Sequence, residues 1–360
     1  MKLFDLIDES LFNEMVASKY IDVAKHPKYD LWIYDYSRTC TIDGAWNEAT
    51  MTCRGIIVDG ENNIVSWPFR KFFNYEELET LSQKIPELHL DIPNLSFKAY
   101  EKLDGSLGVG YWVDGKLYIA TKGSFESDQA IKANEILNRN YPNISKKLSP
   151  NYTYLFEIIY PENRIVVDYG NLEDVVLIGV KDTANGEDIQ LDWYRSFMSV
   201  VQEYEAKDWR TMREQFSGDN REGFVVRFSN GFRMKMKYEE YFKKHFLRTF
   251  LTEKRVYDYF YDGNSDELFK YIEDMDEETK IFVDKCFYSY LNRFARITYE
   301  CYMYLKNNGL NDGIEVTKEV ADIVKKSKYP SVCFSLLRGK DISRPVNTFI
   351  ENEKKFENGC

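Results

Sequence analysis

The 360 residues of this chain are enough for two domains of ordinary size, and a hydrophobic fraction of 44% is enough to fill two cores. A charged fraction of 30% excludes a mainly disordered chain. The net charge of −11, from 48 basic and 59 acidic residues, disfavours a general nucleic-acid coat protein but allows a local basic cleft.

Several segment types are missing from the sequence. No stretch of 18 apolar residues occurs, so we predict no membrane span. The first five residues turn acidic at once and lack the apolar core of a secretory signal. The six cysteines form no CxxC pair, which favours reduced thiols in a cytoplasm over a zinc ribbon or a disulfide scaffold. They are Cys40, Cys53, Cys286, Cys301, Cys333 and Cys360.

The first 240 residues predict a mixed α and β domain. Residues 2–20 have the pattern of a short amphipathic helix, and short apolar runs typical of strands follow it. Turn residues at Asp114-Gly115 and Ser229-Asn230-Gly231 join two pairs of these runs, which predicts two β-hairpins. The predicted strands cover residues 31–34, 55–58, 107–113, 116–121, 154–159, 165–167, 175–180, 223–228 and 232–237. The pattern indicates an α+β fold with antiparallel sheets.

The last 120 residues predict a helical domain. From residue 280 to residue 305, apolar side chains recur at helical spacing, and Asn307-Asn308-Gly309 ends the run. Residues 314–326 and 346–356 also have helical patterns. We therefore predict an α+β domain over residues 1–245, followed by a smaller all-α domain over residues 246–360.

The strongest local candidate for a catalytic segment is residues 101–106, Glu-Lys-Leu-Asp-Gly-Ser. It places Lys102 between a predicted strand and an Asp-Gly turn. A free lysine has a pKa near ~10.4, so a nucleophilic lysine needs a pKa lowered by burial or by cations. Lys235 and Lys237 share one face of a predicted strand and are candidates for those cations. By itself, a lysine before Asp-Gly is more often a surface residue.

Charged residues before and after Lys102 stand in a specific order along the chain. In chain order, the set is Arg54, Lys102, Glu157, Glu222, Lys235 and Lys237. Nucleotidyl transfer needs positive charge on phosphate oxygens and carboxylates for a magnesium ion, and this set offers both. Its order and rough spacing resemble the covalent nucleotidyltransferases, the superfamily of DNA ligases, RNA ligases and mRNA capping enzymes.

Within that superfamily, the sequence is similar to the RNA ligase 1 family of tailed bacteriophages over nearly its whole length. The matching segments are Pro68-Phe69-Arg70-Lys71-Phe72-Phe73-Asn74, Thr121-Lys122-Gly123-Ser124 with Asp128-Gln129-Ala130, Pro161-Glu162-Asn163-Arg164-Ile165-Val166, and Asp262-Gly263-Asn264-Ser265-Asp266-Glu267-Leu268. A DNA ligase would also need an OB-fold, and a helical C-terminal region is the wrong class for one.

The resemblance implies an ATP-dependent RNA ligase that joins 5′-phosphate and 3′-hydroxyl RNA ends, with Mg²⁺ as cofactor and Mn²⁺ as an alternative. A lysine takes AMP from ATP and releases pyrophosphate, the AMP passes to the RNA 5′-phosphate, and the 3′-hydroxyl displaces it. The resemblance also implies tRNA repair at a cleaved anticodon loop, helped by the C-terminal domain. It implies a phage-encoded enzyme in the host cytoplasm, with an RNA end-healing kinase/phosphatase as a functional partner.

The same resemblance assigns roles by position. Lys102 is expected to be the AMP-bearing nucleophile, Lys122 a residue needed for ligation, and Tyr241 a further active-site residue. Asp266 is expected to be a metal ligand. The residues expected to bind the nucleotide, its phosphates or its metal are Tyr34, Arg54, Lys71, Glu157, Glu222, Lys235 and Lys237. Tyr34 and Tyr241 can equally be core residues, and Lys122 and Asp266 can be solvated surface residues.

Three other functions stay open from sequence. A ligase of nicked duplexes would need a duplex-wrapping module, which we do not find. An mRNA guanylyltransferase that uses GTP would carry the same motifs. An inactive RNA-binding relative would lack a motif residue, and none is missing. Basic and aromatic residues interleave over residues 233–248, which weakly supports contact with RNA.

Overall fold

The computed structural model describes residues 1–83, 85, 95–273 and 277–357. The chain divides into two compact units, Met1–Phe242 and Lys243–Cys360. Antiparallel sheets and helices build the first unit, and the described part of the second contains helices but no strand. The predicted α+β class is therefore confirmed. Among the described residues, no helix is both long enough and apolar enough to cross a membrane.

Among the described residues of the first unit, seven α-helices begin, most of them short. They are α1 (Glu9–Ala17), α2 (Arg38–Asp43), α3 (Glu48–Thr52), α4 (Tyr75–Ser82), α5 (Asp128–Asn140), α6 (Met212–Gln215) and α7 (Glu239–Phe250). Side-chain caps define several of their starts. The Ser127 hydroxyl accepts a hydrogen bond from the Ala130 amide at α5, and the Asp8 carboxylate accepts one from Leu11 at α1.

Twelve strands form three antiparallel sheets of four strands each in the described residues. The strands are β1 (Ile21–Lys25), β2 (Leu31–Tyr36), β3 (Arg54–Asp59), β4 (Ile64–Ser66), β5 (Phe97–Lys102), β6 (Ser106–Val113), β7 (Lys116–Thr121), β8 (Tyr152–Ile159), β9 (Asp174–Asp182), β10 (Glu203–Tyr204), β11 (Gly223–Phe228) and β12 (Arg233–Lys237). The strand orders are β1-β2-β3-β4 in the N-terminal sheet, β10-β5-β11-β12 in the β5 sheet and β7-β6-β8-β9 in the β6 sheet.

Both predicted hairpins are confirmed. Strands β6 and β7 pair around Asp114 and Gly115, whose φ angles are +50° and +72°. Two consecutive positive φ angles are what a two-residue hairpin turn requires. Strands β11 and β12 pair around the second turn, where Gly231 has a φ of +84°.

The predicted strand over residues 165–167 is wrong. Val167 is buried, which is why the segment has an apolar pattern. Its backbone does not join a sheet, because the amides of Val166 and Val167 donate to Oδ2 of Asp104 at 2.7 and 2.8 Å. A side-chain carboxylate thus takes the place of a neighbouring strand.

The helices of the second unit pack around one apolar core. They are α8 (Glu253–Tyr261), α9 (Ser265–Ile272), α10 (Glu277–Asn307), α11 (Lys318–Val324), α12 (Pro330–Leu337) and α13 (Ser343–Glu357). The predicted helices over 280–305, 314–326 and 346–356 correspond to α10, α11 and α13. The five cysteines within the described residues are buried thiols, and Cys360 lies outside those residues.

Candidate active site

A cavity of about 650 Å³ lies in the first unit and is lined by strands of all three sheets. Predicted site residues from five separate strands or turns meet there, although they are up to 181 positions apart in the chain. These residues are Arg54, Lys102, Lys122, Glu157 and Lys235. The fold therefore brings together the basic and acidic groups that the sequence order suggested.

Strand register explains how Lys102 meets its acidic partner. Strand β11 lies between β5 and β12, and Gly223 at its start pairs with both Lys102 and Lys237. Glu222, one residue earlier, therefore lies between these two lysines. Its Oε2 is 2.5 Å from Nζ of Lys102, and its Oε1 is 2.9 Å from Nζ of Lys237. Glu222 is only 2% exposed, so the two lysines share a carboxylate that is almost completely shielded from water.

This arrangement reverses the expected effect on the pKa of Lys102. Burial favours a lower pKa, but the Glu222 and Glu157 carboxylates outweigh it, so the pKa of Lys102 is raised. The expectation that Lys235 and Lys237 depress it was wrong, because Glu222 stands between Lys102 and Lys237. Lys235 itself has a lowered pKa, because it is buried and lies near Lys71 and three further cations.

Glu157 lies on β8 beside Lys102 and lines the cavity. Its Oε1 accepts a hydrogen bond from the Gly105 amide at 2.9 Å. Burial raises the pKa of Glu157 to about 7, although Lys102 opposes the shift. A Cβ on Gly105 would lie 2.5 Å from the Ile158 carbonyl oxygen, so the close turn needs glycine.

Asp104 fixes the turn that follows Lys102. This buried carboxylate accepts 2.7 and 2.8 Å bonds from the Val166 and Val167 amides, and Tyr241 donates to its Oδ1 at 2.6 Å. Tyr241 is 4% exposed, and burial with nearby Glu222 and Asp104 raises its pKa. The predicted site residue Tyr241 thus supports the turn that follows Lys102, and it is not among the residues that line the cavity.

Lys71 is held by aromatic rings. Its Nζ lies 5.1 Å from the ring centre of Tyr36, 4.7 Å from that of Trp46 and 5.1 Å from that of Phe73. Burial lowers the pKa of Lys71. Lys71 is not among the residues that line the cavity, so its predicted contact with the nucleotide stays a prediction.

Lys122 is fixed from two sides. Its Nζ makes a 2.7 Å ion pair with Oδ2 of Asp35 and lies 4.5 Å from the ring centre of Tyr36. Behind it, Gly55 has a φ of +81°, and a Cβ there would lie 2.8 Å from the Cα of Lys122. Glycine is therefore needed next to Lys122 for both conformation and space.

The structure places Tyr34 away from the cavity. Its ring packs in the core of the N-terminal sheet, 4.9 Å from the ring centre of Phe12, and only 9% of Tyr34 is exposed. A bulge between Tyr34 and Asp35 shifts the register, and Asp35 and Tyr36 line the cavity instead. The expected nucleotide contact of Tyr34 is not supported by this placement.

Sequence reasoning missed Asp35, Tyr36 and Asp104. Asp104 was visible as part of the Asp-Gly turn, but its role as an acceptor for distant amides carries no local signal. Asp35 and Tyr36 stand next to Tyr34, and only the bulge decides which of the three residues reach the cavity.

The chemistry of the donor set fits a magnesium ion that is shared with a phosphate ligand. Glu157 offers carboxylate oxygen in the cavity, and magnesium commonly takes one or two protein carboxylates with substrate phosphates. In the described part of the chain, no group of three acidic, histidine or cysteine residues could hold a metal ion. Glu222 is engaged by two lysines. Asp266 is in the first turn of α9 in the second unit, and its metal role stays a prediction.

Comparison with known proteins identifies the first unit. The family model described as RNA ligase matches residues 52–245. A Thermovibrio ammonificans protein whose name assigns it as an RNA ligase is 27% identical over 285 residues, which cover 72% of this chain and 70% of that protein. An RNA ligase of Rhodothermus phage RM378 is 30% identical over 185 residues, 42% of this chain and 41% of the phage protein. The solved structure of an archaeal ATP-dependent RNA ligase covers 82% of each chain, with 14% identity and a TM-score of 0.44.

Proposed function

This chain belongs to the RNA ligase family, and we propose that it uses ATP to join RNA 5′-phosphate and 3′-hydroxyl ends through a lysyl-AMP intermediate on Lys102. The observation that carries the proposal is the position of Lys102. It lies in the cavity beside Glu157, with Arg54, Lys122 and Lys235 in the same lining. A nucleophile surrounded by phosphate-binding cations is what nucleotidyl transfer from ATP requires.

The first step forms a bond from Nζ of Lys102 to the α-phosphorus of ATP and breaks the bond from that phosphorus to the pyrophosphate oxygen. Lys102 must lose a proton before it attacks. Oε2 of Glu222 accepts a hydrogen bond from the Lys102 ammonium, with 2.5 Å between Oε2 and Nζ. Lys237 shares the same carboxylate at 2.9 Å and keeps it oriented toward Lys102. Glu222 therefore positions the nucleophile and holds it charged at rest.

Positive side chains in the cavity bind the phosphates. Arg54 and Lys235 line the cavity. They can place positive charge near the non-bridging oxygens, where negative charge builds up in the transition state. The pKa of Lys235 is lowered because it is buried among cations. A polyanion that enters between Arg54 and Lys235 relieves their mutual repulsion, which favours ATP binding.

A divalent cation would neutralise further phosphate charge when bound. Glu157 would hold it from the cavity side. The family resemblance also implies that Asp266 is a metal ligand, and we propose that role separately. Mg²⁺ is the expected ion, with Mn²⁺ as an alternative, because both prefer carboxylate and phosphate oxygens.

In the second step, an oxygen of the RNA 5′-phosphate attacks the AMP phosphorus and frees Lys102. In the third step, the RNA 3′-hydroxyl attacks the 5′-phosphorus, a phosphodiester forms, and AMP leaves. Lys122, which lies in the same cavity, can neutralise the departing AMP phosphate. The family resemblance, which assigns Lys122 to ligation, supports this role.

We further propose that the natural substrate is a broken RNA loop such as a cleaved tRNA anticodon loop. The family resemblance supports this proposal, as does the helical second unit, which is unlike the OB-fold of duplex ligases. If the nuclease that cuts the RNA leaves other end groups, an end-healing kinase/phosphatase would have to convert them into the 5′-phosphate and 3′-hydroxyl that the ligase joins. A phage origin stays a prediction, because the chain resembles a bacterial and a phage protein alike.

The decisive experiment incubates the purified protein with magnesium and α-labelled ATP or GTP. We expect an acid-stable label from ATP that disappears in Lys102→Ala. Lys98→Ala is the matched control, because Lys98 is on the same strand but pairs with Glu203. A labelled Lys102→Ala protein would refute the assignment, and labelling by GTP alone would favour the guanylyltransferase alternative.

A second experiment separates RNA ligation from nick sealing. Single-stranded RNA, a tRNA cut in its anticodon loop, nicked duplex RNA and nicked duplex DNA are compared at equal concentration with limiting ATP. We expect the single strand and the cut loop to be sealed faster. Faster sealing of either nicked duplex would support the alternative of a duplex ligase.

A further inference from the structure

Asp35 has no role in the mechanism derived so far, yet it is a buried acid in the wall of the cavity. It is 6% exposed and lines the cavity together with Tyr36 and Lys122. Its Oδ2 receives the ammonium of Lys122 at 2.7 Å. Within the described residues, its Oδ1 is buried and has no hydrogen-bond partner.

An unpaired buried carboxylate oxygen is costly, because neither water nor protein replaces its lost solvation. Burial accordingly raises the pKa of Asp35, even though Lys122 and Arg54 oppose the shift. Most buried polar groups have a hydrogen-bond partner in the protein or in ordered water, so an unpaired one calls for a partner from outside the chain. Because Asp35 lines the cavity, a bound ligand can reach that side chain.

The chemistry of Oδ1 selects the kind of partner. An ionised carboxylate only accepts hydrogen bonds, so the partner must be a donor. Phosphate oxygens are excluded by charge, and they have the cations Arg54, Lys122 and Lys235 in the same lining. The donors that both ATP and an RNA end carry next to a phosphate are ribose hydroxyls.

We propose that Asp35 is a substrate-binding residue whose Oδ1 accepts a hydrogen bond from a ribose hydroxyl, either that of ATP or that of the RNA end that accepts the phosphate. The proposal rests on the proposed ligase function and deepens it. Lys122 then has two contacts: it neutralises phosphate, and it pairs with Oδ2 of Asp35, which leaves Oδ1 for the ribose.

The experiment compares Asp35→Ala with the wild type on ligands that lack single hydroxyls. One arm measures labelling of Lys102 by ATP, 2′-deoxy-ATP and 3′-deoxy-ATP. The other arm measures sealing of a pre-adenylated RNA onto acceptors whose terminal nucleotide has or lacks its 2′-hydroxyl. The 3′-hydroxyl of the acceptor stays, since it is the nucleophile.

Loss of the contacted hydroxyl should slow the wild type roughly 10- to 100-fold, as expected for a hydrogen bond to a charged group. The same loss should slow Asp35→Ala less than about threefold, because the acceptor is already gone. The arm that shows this coupling identifies the source of the ribose. Asp35→Asn gives a second test, since it keeps the size of the side chain and removes its charge.

Lys122→Gln separates direct contact from support. That variant keeps the carboxylate, so its sensitivity to hydroxyl removal should stay close to that of the wild type. If Asp35→Ala keeps full sensitivity in both arms, Asp35 only supports Lys122 and the proposal is overturned. A wild type that takes no label from ATP would instead refute the proposed function, and the ribose contact with it.

Discussion

Oε2 of Glu222 lies 2.5 Å from Nζ of Lys102, and this contact sets the resting charge of the proposed nucleophile. The carboxylate stabilises the ammonium form more than burial destabilises it, so the pKa of Lys102 is raised. The protein without ATP therefore holds a positioned but protonated lysine. Attack on ATP requires loss of the proton and of this ion pair.

The first prediction concerns the pH dependence of Lys102 labelling. Only the neutral amine attacks, and its fraction grows about tenfold per pH unit below the pKa. We expect the single-turnover labelling rate to rise through pH 6 to 9. Glu222→Gln should label more slowly, because Lys102 loses its orientation, and should level off at lower pH. A rate that is independent of pH in the wild type would contradict the proposed resting state.

The second prediction concerns Glu157, whose pKa is raised to about 7. The folded protein binds the proton of the Glu157 carboxyl more tightly than the unfolded chain does. The stability that this proton contributes is therefore present at acid pH and is lost as pH rises from about 4.5 through 7. Glu157→Gln should thus raise the free energy of unfolding at pH 8, by up to about 3 kcal/mol, and leave it unchanged near pH 4. Labelling of Lys102 should fall at the same time.

Chemical denaturation at the two pH values measures this effect. Glu162→Gln is the control, because Glu162 is exposed, and it should change neither stability nor labelling. An equal change at both pH values would show that Glu157 does not carry the shifted proton.

The third prediction concerns the glycine behind Lys122. In Gly55→Ala, a Cβ would lie 2.8 Å from the Cα of Lys122, and the φ of +81° adds strain. We expect sealing of pre-adenylated RNA to fall by at least roughly tenfold, since a displacement near 1 Å is costly in a positioned site. Gly115→Ala has a similar φ of +72° with open space around it, so it should cost about 1 kcal/mol of stability and no activity. Equal sealing rates in the two variants would refute the steric argument.

The fourth prediction concerns Tyr241, which donates to Asp104 at 2.6 Å. Tyr241→Phe removes a donor to a buried carboxylate, so we expect a loss of about 1–3 kcal/mol of stability and slower labelling of Lys102. Tyr238→Phe is the matched control, because Tyr238 donates to the Phe216 carbonyl at 2.9 Å. It should lower stability without slowing the labelling. Labelling at the wild-type rate in Tyr241→Phe would show that the turn holds without this bond.

The fifth prediction concerns the metal role of Asp266. Asp266→Ala should raise the magnesium concentration that half-maximal sealing requires, with a stability loss of about 0.3–1 kcal/mol at the start of α9. Asp262→Ala, at an exposed acid four residues earlier, is the control and should leave the requirement unchanged. If the two variants need the same magnesium concentration as the wild type, Asp266 is not a ligand.

Local sequence decided the elements whose geometry depends on a few neighbouring residues. Asp114, Gly115 and Gly231 permit the positive φ angles of tight hairpins, and the long apolar repeat of α10 predicts a helix with one buried face. Three residues that line the cavity, Arg54, Lys102 and Glu157, were also predicted from sequence, through their order along the chain. The residue types that nucleotidyl transfer requires are few, so their order carries information.

Tertiary structure decided everything that depends on which groups finally meet. Val166 and Val167 look like a strand in sequence, but Asp104 takes their amides. A bulge after Tyr34 buries that ring and turns Asp35 and Tyr36 into the cavity. Charge spacing alone gave the wrong sign for the pKa of Lys102, because Coulomb energy depends on distances across strands and on burial, and neither is written in the spacing of residues along the chain.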